Sequence, residues 1–462
     1  MPKKKTALTI EERLQQALVP AEEQPYEVPE NWVWVRLGSL AQDMADGPFG
    51  SNLKTEHYTN NKEVRIIQLS NIGENGWRED NKKYTTFEHA KVIARSKVEA
   101  GDIVIAKMMP AGRAIICPSY EQQYVLSSDA VKFVPNSLVD NNFCCKGINS
   151  YFFQTLVQEN TQGITRARTS IKKLKGYPFP LPPLSEQQRI VERIEELFAK
   201  LDEAKERLQE VADSFAVRKA AILHKAFTGE LTKQWRRENG VSDESWEEKN
   251  LGDVCSKITD GTHNSPTNSL TGEYMYVTAK NIKDTGIDLS NITYVTKEIH
   301  KEIYSRCDVV YGDVLYIKDG ATAGIATINT LKEEFSMLSS VALIRADLKL
   351  ATNEFIKTYL NYRKKEILKN ISGSAITRLT LSKIKNIAIS LPTLPEQHEI
   401  VRLIDDLLAR ERSAQQAAEQ ALASIDLMKK SILARAFRGE LGTNKASEAS
   451  ALELLRQVLV EN

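Results

Sequence analysis

The chain has 462 residues, too many for one hydrophobic core and enough for roughly three or four folding units. Its composition, 42% hydrophobic and 27% charged, is that of an ordinary globular protein, and no apolar run approaches the ~20 residues that span a bilayer. The net charge of +1 excludes a globally basic chain, so any binding of nucleic acid must rest on local basic patches.

Residues 1–28 begin with a lysine cluster but lack the apolar stretch of a secretory signal, and the expected location is cytoplasmic. Thr9 followed by Glu12 has capping-box spacing and opens a short amphipathic helix with Ile10, Leu14 and Leu18 on one face. A first domain, 29–184, starts at Asn31–Gly38. The run Asp102–Lys107 (DIVIAK) predicts a strand within it. It closes on a basic stretch with Arg166, Arg168, Lys172, Lys173 and Lys175.

Residues 185–230 read as a long helix. Apolar side chains recur in steps of four and three from Ile190 through Leu201, Leu208 and Phe215 to Ile222, broken only by Arg218. That spacing is the seam of a left-handed coiled coil, about 50 Å long at ~1.5 Å per residue. Ser185 with Gln188 has capping-box spacing at its start, and Gly229 suits its C-terminal end. A linker, 231–245, contains Gln234–Arg237 (QWRR).

A second domain, 246–394, follows, with Asp313–Lys318 (DVLYIK) as a strand and Asn353–Lys369 as a helix. The second long helix, 395–440, carries Ile400, Ile404, Leu407, Ala414, Ala418, Ala421, Ile425, Met428 and Ile432, with Glu411 as its break. Thr393 with Glu396 repeats the capping-box spacing, and Gly439 repeats the terminal glycine. The tail, 441–462, ends in another short amphipathic helix after Ser450. Joined end to end, tail and head would stand where the linker stands, so the two are expected near one another.

The chain is therefore written twice. Glu186–Leu231 returns as Glu396–Leu441 without a gap, at a constant offset of 210 residues. The domains repeat more faintly: Trp32/Trp246, Gly38/Gly252, Asp46-Gly47/Asp260-Gly261 and Asn71-Ile72/Asn281-Ile282 recur between stretches that diverge freely. The fold class expected is mixed α/β: two α/β domains separated by two long antiparallel coiled-coil helices, in a pseudo-twofold internal repeat. A shared frame with differing surfaces implies two different targets read in the same way, such as two half-sites of DNA.

At Leu181–Gln187 (LPPLSEQ) and Leu391–Gln397 (LPTLPEQ), and at the exits Ala226–Leu231 (AFTGEL) and Ala436–Leu441 (AFRGEL), the chain resembles the specificity subunits of type I restriction–modification systems. The resemblance covers nearly the whole length. It implies two target-recognition domains, each reading half of a split, asymmetric sequence in double-stranded DNA, and an antiparallel helical spacer. It also implies partners: two methyltransferase subunits that modify adenine with S-adenosylmethionine, and restriction (translocase and nuclease) subunits that use ATP and Mg2+. On that view the chain is not an enzyme and binds no cofactor itself.

The residues agree with a chain that leaves chemistry to others. There is no G-x-x-x-x-G-K-[ST] phosphate loop and no N-P-P-Y or D-P-P-Y stretch for a flipped adenine. The six histidines are scattered singly, and the five cysteines include no C-x-x-C, so neither a metal site nor a disulfide framework is expected. Two other readings stay open at this stage: a stand-alone nuclease or methyltransferase, and a coiled-coil adaptor with two variable protein-binding domains.

Candidate phosphate contacts are Arg166, Arg168, Lys173 and Lys175 before the first helix and Arg378, Lys383 and Lys385 before the second; all but Arg166 recur at the offset of 210. Candidate base readers are Asn52, Lys54, Gln68, Asn71 and Arg113 in the first domain. In the second they are His263, Asn264, Lys280, Asn281 and Lys318. Arg and Lys suit guanine edges, and Asn and Gln suit adenine.

Overall fold

The computed structural model describes residues 8–74, 76–108, 111–161, 168–369 and 378–461. The chain forms two compact units. One comprises Met1–Gln209 with Gln420–Asn462, the other Glu210–Glu419. Each therefore contains one domain and a part of both long helices.

In the first unit, Val33–Arg36 pairs antiparallel with Pro178–Leu181, so the domain begins and ends on the same two-stranded ribbon. Between these strands lie a four-stranded antiparallel sheet and a five-stranded sheet. The run DIVIAK supplies Ile103–Ala106 to the four-stranded sheet, all four side chains buried. In the five-stranded sheet Tyr124–Leu126 runs parallel to Val64–Ile67, while its other neighbour, Lys97–Val98, runs antiparallel. Helices Asn141–Ile148 and Tyr151–Glu159 cover the four-stranded sheet, with Phe143, Phe153 and Phe179 in a single core.

The second unit repeats this plan. Glu247–Asn250 pairs with Ala388–Leu391, and Val314–Ile317 lies in a four-stranded sheet beside Val341–Ala346. Phe335–Met337 runs parallel to Tyr274–Val277, and the helix Asn353–Lys369 closes the core through Phe355, Ile356, Tyr359 and Leu360.

The long helices pair antiparallel within each unit. In the first, Asp202 meets Lys429 at 2.5 Å and Lys205 meets Asp426 at 3.7 Å, so one helix descends as the other climbs. In the second, Arg218 meets Glu411, and Ala226 and Phe227 share a core with Ile400, Ile404 and Leu408. The first helix runs Leu184–Asp213 and resumes as Phe215–Phe227; the second is unbroken over Leu394–Ala436.

The apolar seam is less continuous than its spacing predicts. Ile190, Ile194, Ile400 and Ile404 are buried, as are Ala418 and Ile425, whereas Val211, Ala414 and Met428 are exposed. Two helices alone cannot cover each other's stripes, and burial is complete chiefly where a domain backs the pair. The chain's two ends meet in the first unit: Leu14 and Ala17 of the helix Ile10–Ala17 share a core with Leu455, Val458 and Leu459 of Ala451–Glu461.

Candidate nucleic-acid interface

The motif that opens each long helix is a buried joint. Glu186 and Gln187 have no exposed surface, and neither do Glu396 and Gln397. The Glu186 carboxylate accepts hydrogen bonds from the Trp32 indole (2.7 Å), Asn444 (2.8 Å) and Thr443 (3.3 Å). Glu396 accepts from Thr232 and Arg236, both at 2.6 Å, and from the Trp246 indole at 3.2 Å. The Gln187 side chain accepts from the Asp140 N–H and donates to the Pro182 carbonyl; Gln397 does the same with Thr352 and Pro392. Each domain is thereby fastened to the start of its helix.

The expected capping boxes do not form, the first because of where its helix starts and the second because of how Glu396 is used. The first helix starts at Leu184, with the Pro183 carbonyl accepting from Glu186 and Gln187, so Ser185 lies inside the first turn. Thr393 does precede the second helix, but the Glu396 carboxylate turns inward to Thr232, Arg236 and Trp246. The exit glycines behave as expected, Gly229 and Gly439 having φ of 76° and 75°.

The repeated Asp-Gly turns have a steric cause. A Cβ on Gly47 would lie 1.8 Å from the Ser127 carbonyl oxygen, and one on Gly261 1.9 Å from that of Met337. The preceding carboxylates hold the lysines that follow the central strands: Asp46 bonds Lys107 at 2.9 Å, and Asp260 lies 3.5 Å from Lys318. Asp260 also bonds Arg306.

The phosphate candidates lie on matching elements. Arg168 pairs with Asp129 at 2.7 Å and Arg378 with Asp319 at 3.4 Å, each arginine remaining about half exposed or more. Lys173 and Lys175 stand on the short helix Ile171–Gly176, and Lys383 and Lys385 on Leu381–Lys385. Lys175, Lys383 and Lys385 project into solvent, while Lys173 donates to the Asn160 carbonyl. Arg166 lies outside the described residues.

The base-reading candidates divide into two groups. Asn52, Lys54, His263, Asn264 and Lys280 are exposed on loops, although the His263 ring lies 3.3 Å from both Asp260 and Arg306 and Lys54 lies 3.7 Å from Glu56. Gln68 and Arg113 are half-buried, Gln68 accepting from Asn81 at 2.6 Å and Arg113 lying 3.9 Å from Glu74. Asn71, Asn281 and Lys318 are structural instead. The Asn71 amide accepts from the Gln68 N–H and donates to the Arg78 and Asp80 carbonyls, and Asn281 likewise bridges Thr278 and Asp288. Lys318 is only 2% exposed and lies 3.1 Å from Asp319 and 3.5 Å from Asp260. Buried polar groups answer to backbone and ion-pair demands and cannot reach a base edge from where they sit.

Other residues escaped sequence reasoning. Arg65 is 1% exposed, its guanidinium 5.4 Å from the Tyr84 ring and 6.0 Å from that of Trp77. In the second domain Tyr276 lines a cleft of about 750 Å³ with Asn268, Lys280 and Asn291. Its buried hydroxyl has no hydrogen-bond partner among the described residues, and burial pushes its pKa up to about 12. In the first domain Ile66 occupies the matching position and belongs to a small apolar core with Leu53, Ile93 and Val125. The shared frame thus carries different surfaces.

A family model described as the type I restriction modification DNA specificity domain matches residues 29–213 and 243–421. The chain belongs to this family. It is 28% identical over 333 residues to the type I restriction enzyme EcoBI specificity subunit of Escherichia coli, covering 67% of this chain and 69% of that one. It is 24% identical over 468 residues to the EcoKI specificity subunit of Escherichia coli (strain K12), covering 94% of this chain and 96% of the relative.

Among solved structures, the HsdS subunit from Thermoanaerobacter tengcongensis shares the fold, with a TM-score of 0.63 at 21% identity over 91% of this chain and 100% of that one. A chain from a study of complex assembly and conformational transition of the type I R-M system gives 0.61 at 21% identity, over 90% of this chain and all of that one. Two specificity domains and their linking helices are therefore the family's architecture in this chain. Among the described residues no group of three His, Cys, Asp or Glu side chains is gathered as metal ligands, and no helix is long and apolar enough to cross a membrane.

Proposed function

We propose that the chain is the non-catalytic DNA reader of a type I restriction–modification complex. Each domain reads one half of a split, asymmetric sequence in double-stranded DNA, and the paired helices set the number of unread base pairs between the halves. Two methyltransferase subunits dock on the chain and methylate adenine with S-adenosylmethionine. Restriction subunits that consume ATP with Mg2+ complete the assembly.

The observation that carries this reading is the duplicated joint: Trp32–Glu186 and Trp246–Glu396 fasten two differently surfaced domains to two copies of one helix. A frame repeated this closely serves one operation performed twice, while the divergent loops give each domain its own target. Sequence-independent affinity falls to the exposed lysines and arginines ahead of each helix, and discrimination to loop residues such as Asn52, Lys54, Asn264 and Lys280.

The test is methylation mapping by single-molecule sequencing in a host expressing the chain with its methyltransferase subunits. The expected result is adenine methylation at one split motif. Methylation at an uninterrupted motif, or by this chain alone, overturns the reading.

A further inference from the structure

The second unit has a cleft of about 360 Å³ where the domain meets the paired helices. Its apolar lining is Leu223, Ile325, Ile404 and Leu408. The same lining includes four cationic side chains, Lys219, Lys357, Lys364 and Arg412, against two acidic ones, Asp284 and Asp405. Lys357 and Lys364 lie on one face of the helix Asn353–Lys369, seven residues apart. None of the four cations forms an ion pair with a described residue, although most lysines and arginines of the helical pairs elsewhere do. Four like charges around one opening repel one another, and an anion seated among them relieves that repulsion.

The first unit has a smaller cleft, about 170 Å³, at the same place in the repeat. Lys429 stands for Lys219, Leu433 for Leu223, Phe198 for Leu408 and Glu74 for Asp284, each at the offset of 210. Asn149 and Asn361 are pinned alike, each exchanging two hydrogen bonds with the backbone of one alanine, Ala114 or Ala326. Here too four cations (Arg113, Lys205, Lys429 and Lys430) face two acids, Glu74 and Asp426. In this copy three of the four cations have acidic partners: Asp202 holds Lys429 at 2.5 Å, Asp426 lies 3.7 Å from Lys205 and Glu74 3.9 Å from Arg113, whereas Arg412 occupies the position matching Asp202 in the second unit.

We infer that both clefts are seats for the DNA phosphodiester backbone, and that the second-unit cleft is the stronger. The inference rests on the proposed reading of the chain as a DNA specificity subunit. The domain surfaces diverge wherever they would meet different bases, so an excess of cations that recurs in both clefts, although only Lys219 and Lys429 coincide in the repeat, belongs to something both meet regardless of sequence. On DNA that common element is phosphate, which Lys and Arg contact without carrying sequence information. With a net charge of only +1, the chain must concentrate its cations in such places.

The experiment uses the full chain assembled with its methyltransferase subunits. One variant combines Lys219→Gln, Lys357→Gln and Arg412→Gln; a second combines Lys205→Gln, Lys429→Gln and Lys430→Gln. Lys364 is left alone because its stem packs beside Gly324. Affinity for a duplex with the methylated motif, and for one without it, is measured across a salt series by fluorescence anisotropy.

The first variant is expected to weaken both duplexes alike and to flatten log K against log salt by about 0.9 for each phosphate no longer neutralised. The second variant moves the same way by less, and the methylated motif stays unchanged in both. The single change Lys219→Gln gives a reduced form of the effect should the triple variant fold poorly. Unaltered affinity and slope overturn the inference. So does weakened capture of a methyltransferase subunit at unchanged slope, which makes the clefts protein contacts, or an altered motif, which makes them base readers. If the unaltered chain supports no split-motif methylation, the reading itself fails, and the salt slope still decides whether the clefts hold phosphate.

Discussion

Arg218 and Glu411, the one polar interruption in each helix's apolar stripe, bond to each other across the antiparallel pair at 2.6 Å. They do not match in the repeat, since Leu201 and Met428 occupy the equivalent positions. Arg218 is also held along its own helix by Ser214 and, at 3.3 Å, by the Val211 carbonyl. A lone polar pair in a seam fixes register, because a shift of one turn leaves both charges against apolar neighbours. Glu411→Leu should destabilise the second unit by roughly 1–2 kcal/mol, and adding Arg218→Leu should restore most of that loss. Thermal unfolding of the two singles and the double checks this, and strictly additive losses would reject the coupling.

The buried joints lead to domain-specific effects. Glu396→Gln takes the carboxylate from Arg236, which is 5% exposed and has Asp243 as its remaining acidic partner. Breaking a buried pair costs on the order of 3–5 kcal/mol. Trp32→Phe removes one neutral donor from Glu186, a loss of about 1–3 kcal/mol. Hydrogen exchange followed by mass spectrometry should show the second domain's ribbon, Glu247–Asn250 with Ala388–Leu391, opening in the first variant. The first domain's ribbon should loosen more mildly in the other. Equal loosening of both domains by either change would show that the joints do not act separately.

All five cysteines are free, and burial raises every thiol pKa. Cys117, Cys145, Cys255 and Cys307 are pushed up to about 12, and Cys144 well above its ordinary value. The thiolate is the reactive form, so at pH 8 the folded chain should react slowly with a thiol reagent and release all five groups on denaturation. The sign follows from burial favouring the neutral form: stability from these sites holds below the ordinary thiol pKa and fades as pH climbs toward 12. A rapidly reacting thiol at pH 8 would contradict the burial.

What the sequence disclosed was periodic or repeated. The seam spacing located both helices, the alternation of DIVIAK and DVLYIK located central strands, and the exit glycines marked helix ends whose φ permits little else. Residues chosen for polarity beside a turn were harder to assign. Asn71, Asn281 and Lys318 look like readers in one dimension, yet the fold spends their polar atoms on nearby backbone or carboxylates. The glutamates at 186 and 396 look like solvent-facing first-turn residues, and only the parallel recurrence of Trp32 and Trp246 hints at their donors. The basic clefts escaped notice because each draws its cations from segments far apart in the chain.

The boundary between the units falls inside helix on both passes of the chain, at Gln209/Glu210 within Leu184–Asp213 and at Glu419/Gln420 within Leu394–Ala436. If helix sets the gap between half-sites, lengthening both passes there should lengthen the gap. Four residues add ~6 Å at 1.5 Å each, against about 3.4 Å per base pair, which corresponds to one or two more unread pairs. Seven residues, a full heptad, keep the apolar stripe in phase and should add about three. The insertions must be made in both helices, because one alone leaves Asp202–Lys429 or Arg218–Glu411 facing the wrong turn. Methylation mapping of the two variants gives the result directly. Half-motifs that persist at an unchanged separation would show that something other than the helices, such as the docked methyltransferase subunits, fixes the distance.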